Sequence, residues 1–205
     1  YCRKSGISKI VLGLSGGIDS ALAACVASAA VGAQNVTGIS MPSKHSSQHS
    51  IDDAKATAEA LGLNFIIQPI TDLHAASDTA LEDILEGGNP VAGENLQARL
   101  RGLIVMAHAN AHGAMAIATG NKSELSQGYC TLYGDMAGGY APLGDLYKME
   151  VYALAKQFNE RMGIEAVTES TLTKPPSAEL APDQKDEDSL PPYPILDEIL
   201  RLHIE

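Results

Sequence analysis

The chain is 205 residues long, 45% apolar and 19% charged, the makeup of one folded domain rather than a disordered or fibrous segment. With 14 Lys and Arg against 25 Asp and Glu, its formal net charge is −11, which disfavours nucleic-acid and anionic-membrane partners and obliges any anionic ligand to find a local binding device. No apolar run is long enough to span a bilayer, since Leu103–Thr119 is broken by His108, Asn110 and His112, and no signal peptide is visible.

Ile10–Leu14 reads as a buried strand entering a Ser-Gly-Gly turn, followed by an Ala-rich helix, Asp19–Val31, that stops at Gly32. Val36–Met41 is a second strand, stopped by Pro42. Ser50, with an acid at Asp53, is the expected cap of a helix ending near Gly62. Phe65–Gln68 is a third strand, closed by Pro69. An apolar stripe through Leu73, Ala76, Ala80, Leu81, Ile84 and Leu85 predicts one amphipathic helix over Thr71–Leu85, broken by Gly87-Gly-Asn-Pro90. Asn95–His112 is a long helix, Ala114–Ala118 a fourth strand, and Asp145–Phe158 a further helix. Six of the ten prolines follow Lys174, mixed with acids, so 175–194 is expected to be a flexible loop ahead of a short helix from Ile195. Alternating strands and helices predict a doubly wound parallel α/β sheet with helices on both faces, occupying 1–205 as one domain.

The three cysteines, Cys2, Cys25 and Cys130, show no metal-ligand spacing and read as free thiols in a reducing, cytoplasmic setting. Cys130 has no identifiable base beside it. His108 and His112 lie four apart but lack the Glu of a zinc-protease pair, and His45 and His49 read as solvent-exposed. A start at Tyr1 rather than Met reads as a trimmed chain or a piece of a longer one.

The most informative segment is Gly13-Leu14-Ser15-Gly16-Gly17-Ile18-Asp19-Ser20, set between strand and helix. Gly16 and Gly17 let backbone N–H groups reach a ligand, and the helix N-terminus behind them favours an anion. Ser15 and Ser20 add hydroxyl donors. Asp19 beside bound phosphate is either a plain helix cap or a Mg²⁺ ligand. There is no Gly-Lys-Ser/Thr, so this is not a Walker-type loop.

The loop resembles the signature of the N-type ATP pyrophosphatases, in which it holds the pyrophosphate end of ATP while a substrate oxygen attacks the α-phosphorus. Glu94–Gly102, Thr119-Gly-Asn-Lys-Ser-Glu124, Tyr133-Gly-Asp135, Pro142–Lys148 and Lys174-Pro-Pro-Ser-Ala-Glu-Leu180 follow in order and resemble the NAD⁺ synthetases, more the glutamine-dependent branch than the ammonia-only one. The resemblance implies an adenine nucleotide alpha hydrolase-like, Rossmann-like fold. It implies adenylation of deamido-NAD⁺ by ATP, then amidation by ammonia, giving NAD⁺, AMP and pyrophosphate. It also implies Mg²⁺ on Asp19 and Glu124, and ATP contacts from Gly13 to Ser20 and at Met41, Thr119, Lys148 and Ser177. Deamido-NAD⁺ would meet Arg99 and Glu124, and Ser15, Asp19 and Lys148 would carry the catalysis. The family works as a homodimer, with the helix around Arg99 at the interface.

The pattern departs from the ammonia-dependent branch at two points. Leu132 stands where a Lys precedes Tyr-Gly-Asp, and Gly138-Gly-Tyr140 stands near the position of an Asp. The family's basic C-terminal stretch is not seen before Glu205. No glutaminase is visible, which leaves open a removed or separate glutaminase, or free ammonia. A GMP synthetase-like amidotransferase and an ATP-holding regulator are the competing readings.

Overall fold

A computed structural model describes residues 1–182 and 184–205. After a short helix α1 (Cys2–Ser5), the chain runs β1 (Ile10–Gly13), α2 (Ile18–Val31), β2 (Val36–Ser40), α3 (Gln48–Leu61) and β3 (Asn64–Ile67). Then come α4 (Thr71–Ala80), α5 (Glu82–Leu85), α6 (Val91–His112), β4 (Met115–Ala116) and α7 (Lys122–Gln127). The last helices are α8 (Lys148–Met162), α9 (Glu169–Thr173) and α10 (Tyr193–Ile204).

The sheet order is β3-β2-β1-β4, and every pairing is parallel. Side chains alternate across the strands, as a pleated sheet requires. Ile10, Leu12 and Val36 point into a core built with α2, α3 and α8. Val11, Ile39 and Ala116 point the other way, toward Val105 and Ala109 of α6 and Ile70. Helices therefore cover both faces. The chain order reverses between β1 and β4, so the carboxyl ends of those two strands form the switch point where doubly wound sheets bind ligands.

Several expectations are corrected. Ser47 rather than Ser50 caps α3, its Oγ accepting from Ser50 N–H. The predicted helix over Thr71–Leu85 is two helices separated at Leu81. Its stripe is not core either: Ile84 is 75% exposed, and the buried residue is His74. α6 starts at Val91 because Asn89 Oδ1 accepts the Val91 N–H, so the Gly-Gly-Asn-Pro segment starts this helix as well as breaking the one before. β3 is an edge strand with Ile66 and Ile67 exposed, not a run covered on both faces. β4 is cut to two residues because the chain after it pairs with 139–140. Ala118 N–H donates to the Tyr140 carbonyl and Gly139 N–H to that of Ala116. A Cβ at Gly138 would sit 2.6 Å from Ala118 N, so glycine is required for that approach.

α8 begins at Lys148, not Asp145, with Glu150 Oε2 accepting the Tyr147 N–H at 2.9 Å. α10 starts two residues ahead of the expected Ile195 and packs Leu196 and Leu200 against Tyr147. Among the described residues of 175–194, expected as a flexible loop, Asp186 is buried, and Gln184 Nε2 donates to Glu94 on α6. The part of that expectation resting on Asp183 lies outside the described residues.

Removing the α3 cap gives a direct check on where that helix begins. Ser47→Ala is expected to cost about 1 kcal/mol, a fall in Tm of roughly 2–4 °C, in a thermal melt followed by circular dichroism. An unchanged Tm would return the start of the helix to Ser50.

Candidate active site

The cleft at the switch point has a volume of about 440 Å³. Its floor is the turn after β1. Ser15 N–H donates to Ser20 Oγ at 3.1 Å, Gly17 N–H to Ser15 Oγ at 3.2 Å, and Ser20 Oγ–H to the Gly17 carbonyl at 3.0 Å. Both serines therefore brace the turn, and two of its amides are already engaged. The N–H groups of Ile18, Asp19 and Ser20 open α2, where no intrahelical acceptor exists, and they carry no bond to a described residue. They are the donors left for an anion. Gly16, at φ +81°, turns away from the cleft against α3: a Cβ there would lie 2.1 Å from the Ser50 carbonyl oxygen.

Lys148, the first residue of α8, enters the cleft from the side. Its Nζ lies 2.6 Å from Asp19 Oδ2 and 3.0 Å from Glu124 Oε1, and its side chain is only 3% exposed. A cation at a helix N-terminus is unfavourable by the backbone dipole, so the two carboxylates hold it there. Burial alone pulls the Lys148 pKa down, but the charges of Asp19 and Glu124 outweigh it and leave it raised. Burial first, and then the charge of Asp19, push Glu124 up to about 7, against the downward pull of Lys148.

The segment Asn121-Lys-Ser-Glu124 is a capping box, which explains why those residue types stand at that spacing. Asn121 Oδ1 accepts the Glu124 N–H at 3.0 Å, and Glu124 Oε2 reaches back to the Asn121 N–H. The second end of the Asn121 side chain, Nδ2, donates to Asp19 Oδ1 at 2.8 Å. One fully buried amide thus starts α7, aims Glu124 and fixes Asp19.

Residues 174–180 form the far wall. Lys174 Nζ lies 3.0 Å from Asp53 Oδ2, and Asp53 also accepts from the hydroxyls of Thr168 and Ser170. Glu179, at φ +49°, accepts from the hydroxyls of Ser47 and Ser50 at 2.8 and 2.7 Å. The Ser177 hydroxyl donates to the Gln184 carbonyl. Arg101 lies above Met41 and donates Nε–H to its carbonyl. Burial lowers its pKa to about 10, opposed by Glu179.

Every position read from the sequence lines this cleft except Gly16 and Arg99. Arg99 points elsewhere and donates to the Leu132 carbonyl, whereas its neighbour Arg101, two residues on, faces in. The sequence pattern does not mark Asn121, Arg101 or Asp53 as site residues. The Asn-x-x-Glu spacing carried the signal for the first, and for Asp53 no local signal exists because its partners lie more than a hundred residues away.

Asp19 and Glu124 offer oxygen donors of the kind Mg²⁺ takes together with waters and phosphate oxygens. The two carboxylates converge on one ammonium, at 2.6 and 3.0 Å, two negative charges against one positive, and that donor set fits a divalent ion. Among the described residues, no cluster of three His, Cys, Asp or Glu side chains forms a closed metal cage.

The elevated Glu124 predicts a pH effect of definite sign. Its folded pKa exceeds its unfolded one, so the fold binds the extra proton between pH 4.5 and about 7 and loses stability as pH rises through that window. The Tm of Glu124→Gln minus that of the parent is expected to rise across the window and level off above it. A flat difference from pH 4.5 to 8 would show an ordinary carboxyl.

The model of the NAD synthase family matches residues 1–205. The chain is 49% identical to the glutamine-dependent NAD(+) synthetase of Thermotoga maritima and 52% identical to that of Synechocystis, covering 100% of itself and 36% and 37% of those proteins. It thus spans little over a third of their length. Two solved structures resemble it closely. The glutamine-dependent NAD⁺ synthetase of Acinetobacter baumannii, in complex with ADP, superposes at a TM-score of 0.82 with 40% identity, over all of this chain and 36% of that one. The NMN synthetase of Francisella tularensis superposes at 0.87 with 32% identity, over 98% of this chain and 79% of that one.

Proposed function

The chain belongs to the NAD synthase family, and we propose that it adenylates deamido-NAD⁺ with ATP and amidates the product with ammonia. The observation that carries this reading is the half-buried Asp19–Glu124 pair around the buried Lys148, beside the amides of Ile18, Asp19 and Ser20 that bond no described residue. A nicotinate carboxylate oxygen attacks the α-phosphorus of ATP, the bond to the bridging oxygen breaks, and pyrophosphate leaves. Ammonia then adds to the acyl carbon, AMP departs, and one proton is released.

In this scheme the α2 amides bind the departing pyrophosphate, with little covalent work left for side chains. Lys148 offsets charge on the phosphates. Gly13, Leu14, Ser15, Gly17 and Ser20 shape the floor, Met41 seats the adenine, Thr119 borders ATP, and Ser177 lies over the phosphates. Glu124 borders the reacting carboxylate. Asp19 and Glu124 would hold Mg²⁺, which when bound would neutralise developing negative charge on the pyrophosphate. Arg99, which points away from this cleft, would meet deamido-NAD⁺ at a site shared with a second subunit, while Arg101 borders the ATP side beside Met41. We further read residues 1–205 as the synthetase domain and the acting form as a homodimer. The exposed apolar side chains of Leu103, Leu132 and Tyr133 near Arg99 support that state. The cysteines at 2, 25 and 130 are free and support a cytoplasmic setting, and among the described residues no helix is long and apolar enough to cross a membrane.

The test is turnover with ATP, Mg²⁺, ammonium and one acceptor at a time, following pyrophosphate and the amide product. Deamido-NAD⁺-dependent release with NAD⁺ formed is the expected result. The Francisella relative makes the nicotinate mononucleotide the necessary second acceptor, and preference for it would move the substrate to the mononucleotide. Release with xanthylate, or ATP binding without turnover, would overturn the proposal.

A further inference from the structure

The first turn of α10 lies against the start of α8. Tyr193 and Asp197, four residues apart and hence on one face of α10, are both buried. The Tyr193 ring centroid lies 5.0 Å from Lys148 Nζ, within the range at which a ring face attracts an ammonium. The Tyr193 hydroxyl donates to Asp186 Oδ2 at 2.8 Å, which leaves the ring little freedom to turn. Asp197 Oδ2 accepts the Met149 N–H at 2.8 Å, and Asp197 Oδ1 accepts from Ser123 Oγ at 2.5 Å. Ser123 Oγ in turn accepts the Lys148 N–H at 2.9 Å.

Two of the open amides at the α8 N-terminus are thereby satisfied from α10, one of them through α7. A buried carboxylate at that end of the helix also opposes the dipole that disfavours Lys148. We propose that Tyr193 and Asp197 are positioning residues that hold Lys148 from its two ends, the ring at the ammonium and the carboxylate at the backbone. This rests on Lys148 acting on the phosphates as proposed above. Neither residue touches the cleft, since neither is among its lining. They act through the aim of one side chain, where a displacement of about 1 Å is enough to lose turnover.

The experiment compares Tyr193→Leu, Tyr193→Phe and Asp197→Asn in pre-steady-state pyrophosphate release with saturating deamido-NAD⁺. Tyr193→Leu removes the ring and is expected to lower kcat about tenfold or more with KM for ATP changed less than about threefold. Tyr193→Phe keeps the ring, loses only the bond to Asp186, and is expected to recover most of that loss. Asp197→Asn keeps one acceptor and is expected to lower kcat without moving KM. If Leu and Phe are equally slow, or if kcat per folded molecule is unchanged in Leu, the ring does not aim Lys148 and the inference fails. Should Tyr193→Leu not fold, the Phe and Asn variants decide: a kcat equal to that of the parent in Asn overturns the role of Asp197. A parent that releases no pyrophosphate defeats the functional reading itself, a result separate from any of these.

Discussion

Lys148→Ala is expected to slow pyrophosphate release by about 10²–10³-fold while leaving a folded protein. The chemical loss is that of a charged donor in a site sheltered from water, where such a group is worth far more than in solvent. The structural loss is smaller than the burial suggests. Removing an ammonium 2.6 and 3.0 Å from two carboxylates leaves two like charges facing each other, ordinarily a costly arrangement. Glu124 already titrates at about 7, however, so it can take up a proton at little cost and remove the repulsion. The Tm deficit of the variant should therefore shrink as pH falls from 8 to 6, while kcat stays low at both. A kcat within threefold of the parent would take Lys148 out of the chemistry. A Tm deficit that does not respond to pH would show that Glu124 is not the group that adapts.

Gly16→Ala is expected to be the most damaging single-methyl change in the chain, costing about 3 kcal/mol or more of stability. A residue with a Cβ at φ +81° loses roughly 1–2 kcal/mol from backbone strain alone. The added carbon would also lie 2.1 Å from a backbone carbonyl of α3, which cannot rotate away as a side chain could. Relieving that overlap means separating the turn after β1 from α3, a further 1–3 kcal/mol on the scale of overpacked cores, by rough reckoning. Thermal melts should show a fall of about 6–12 °C, accompanied by weakened ATP binding in calorimetry. Gly62→Ala is a useful contrast, because that glycine also has positive φ but nothing within 4 Å of its Cβ. Equal losses at the two sites would show that strain alone, not the contact with Ser50, sets the requirement at Gly16.

Sequence patterns revealed the parts of the fold that local chemistry decides. The strand-turn-helix of 10–31 carries its own signals: an apolar run, two glycines, a helix-favouring stretch and a terminal Gly32. The same holds for Asn121-x-x-Glu124, whose spacing is a helix start. What escaped was decided at a distance. The stripe over Thr71–Leu85 has helical period, but α4 buries His74 instead of the stripe, the helix is interrupted at Leu81, and Ile84 faces outward. Ala114–Ala118 is uniformly apolar and so predicts a strand of five residues; pairing with Gly139 and Tyr140 ends it at two. Arg99 and Arg101 differ only in which side of α6 they occupy, and periodicity without a known core face does not say which side is inward.

Asp53 illustrates how far a binding wall can be governed from outside it. One carboxylate on α3 receives hydroxyls from both ends of the first turn of α9 and the ammonium of Lys174. It is thus the shared anchor for α9 and for the start of the wall at Lys174, while Ser47 and Ser50 hold the far end at Glu179. In a survey of variants scored by nucleotide affinity, changes at 53 would mimic the loss of a ligand contact, although the carboxylate does not line the cleft. Sorting such hits by proximity to the cleft alone would misplace it, whereas tracing which bonds converge on it would not.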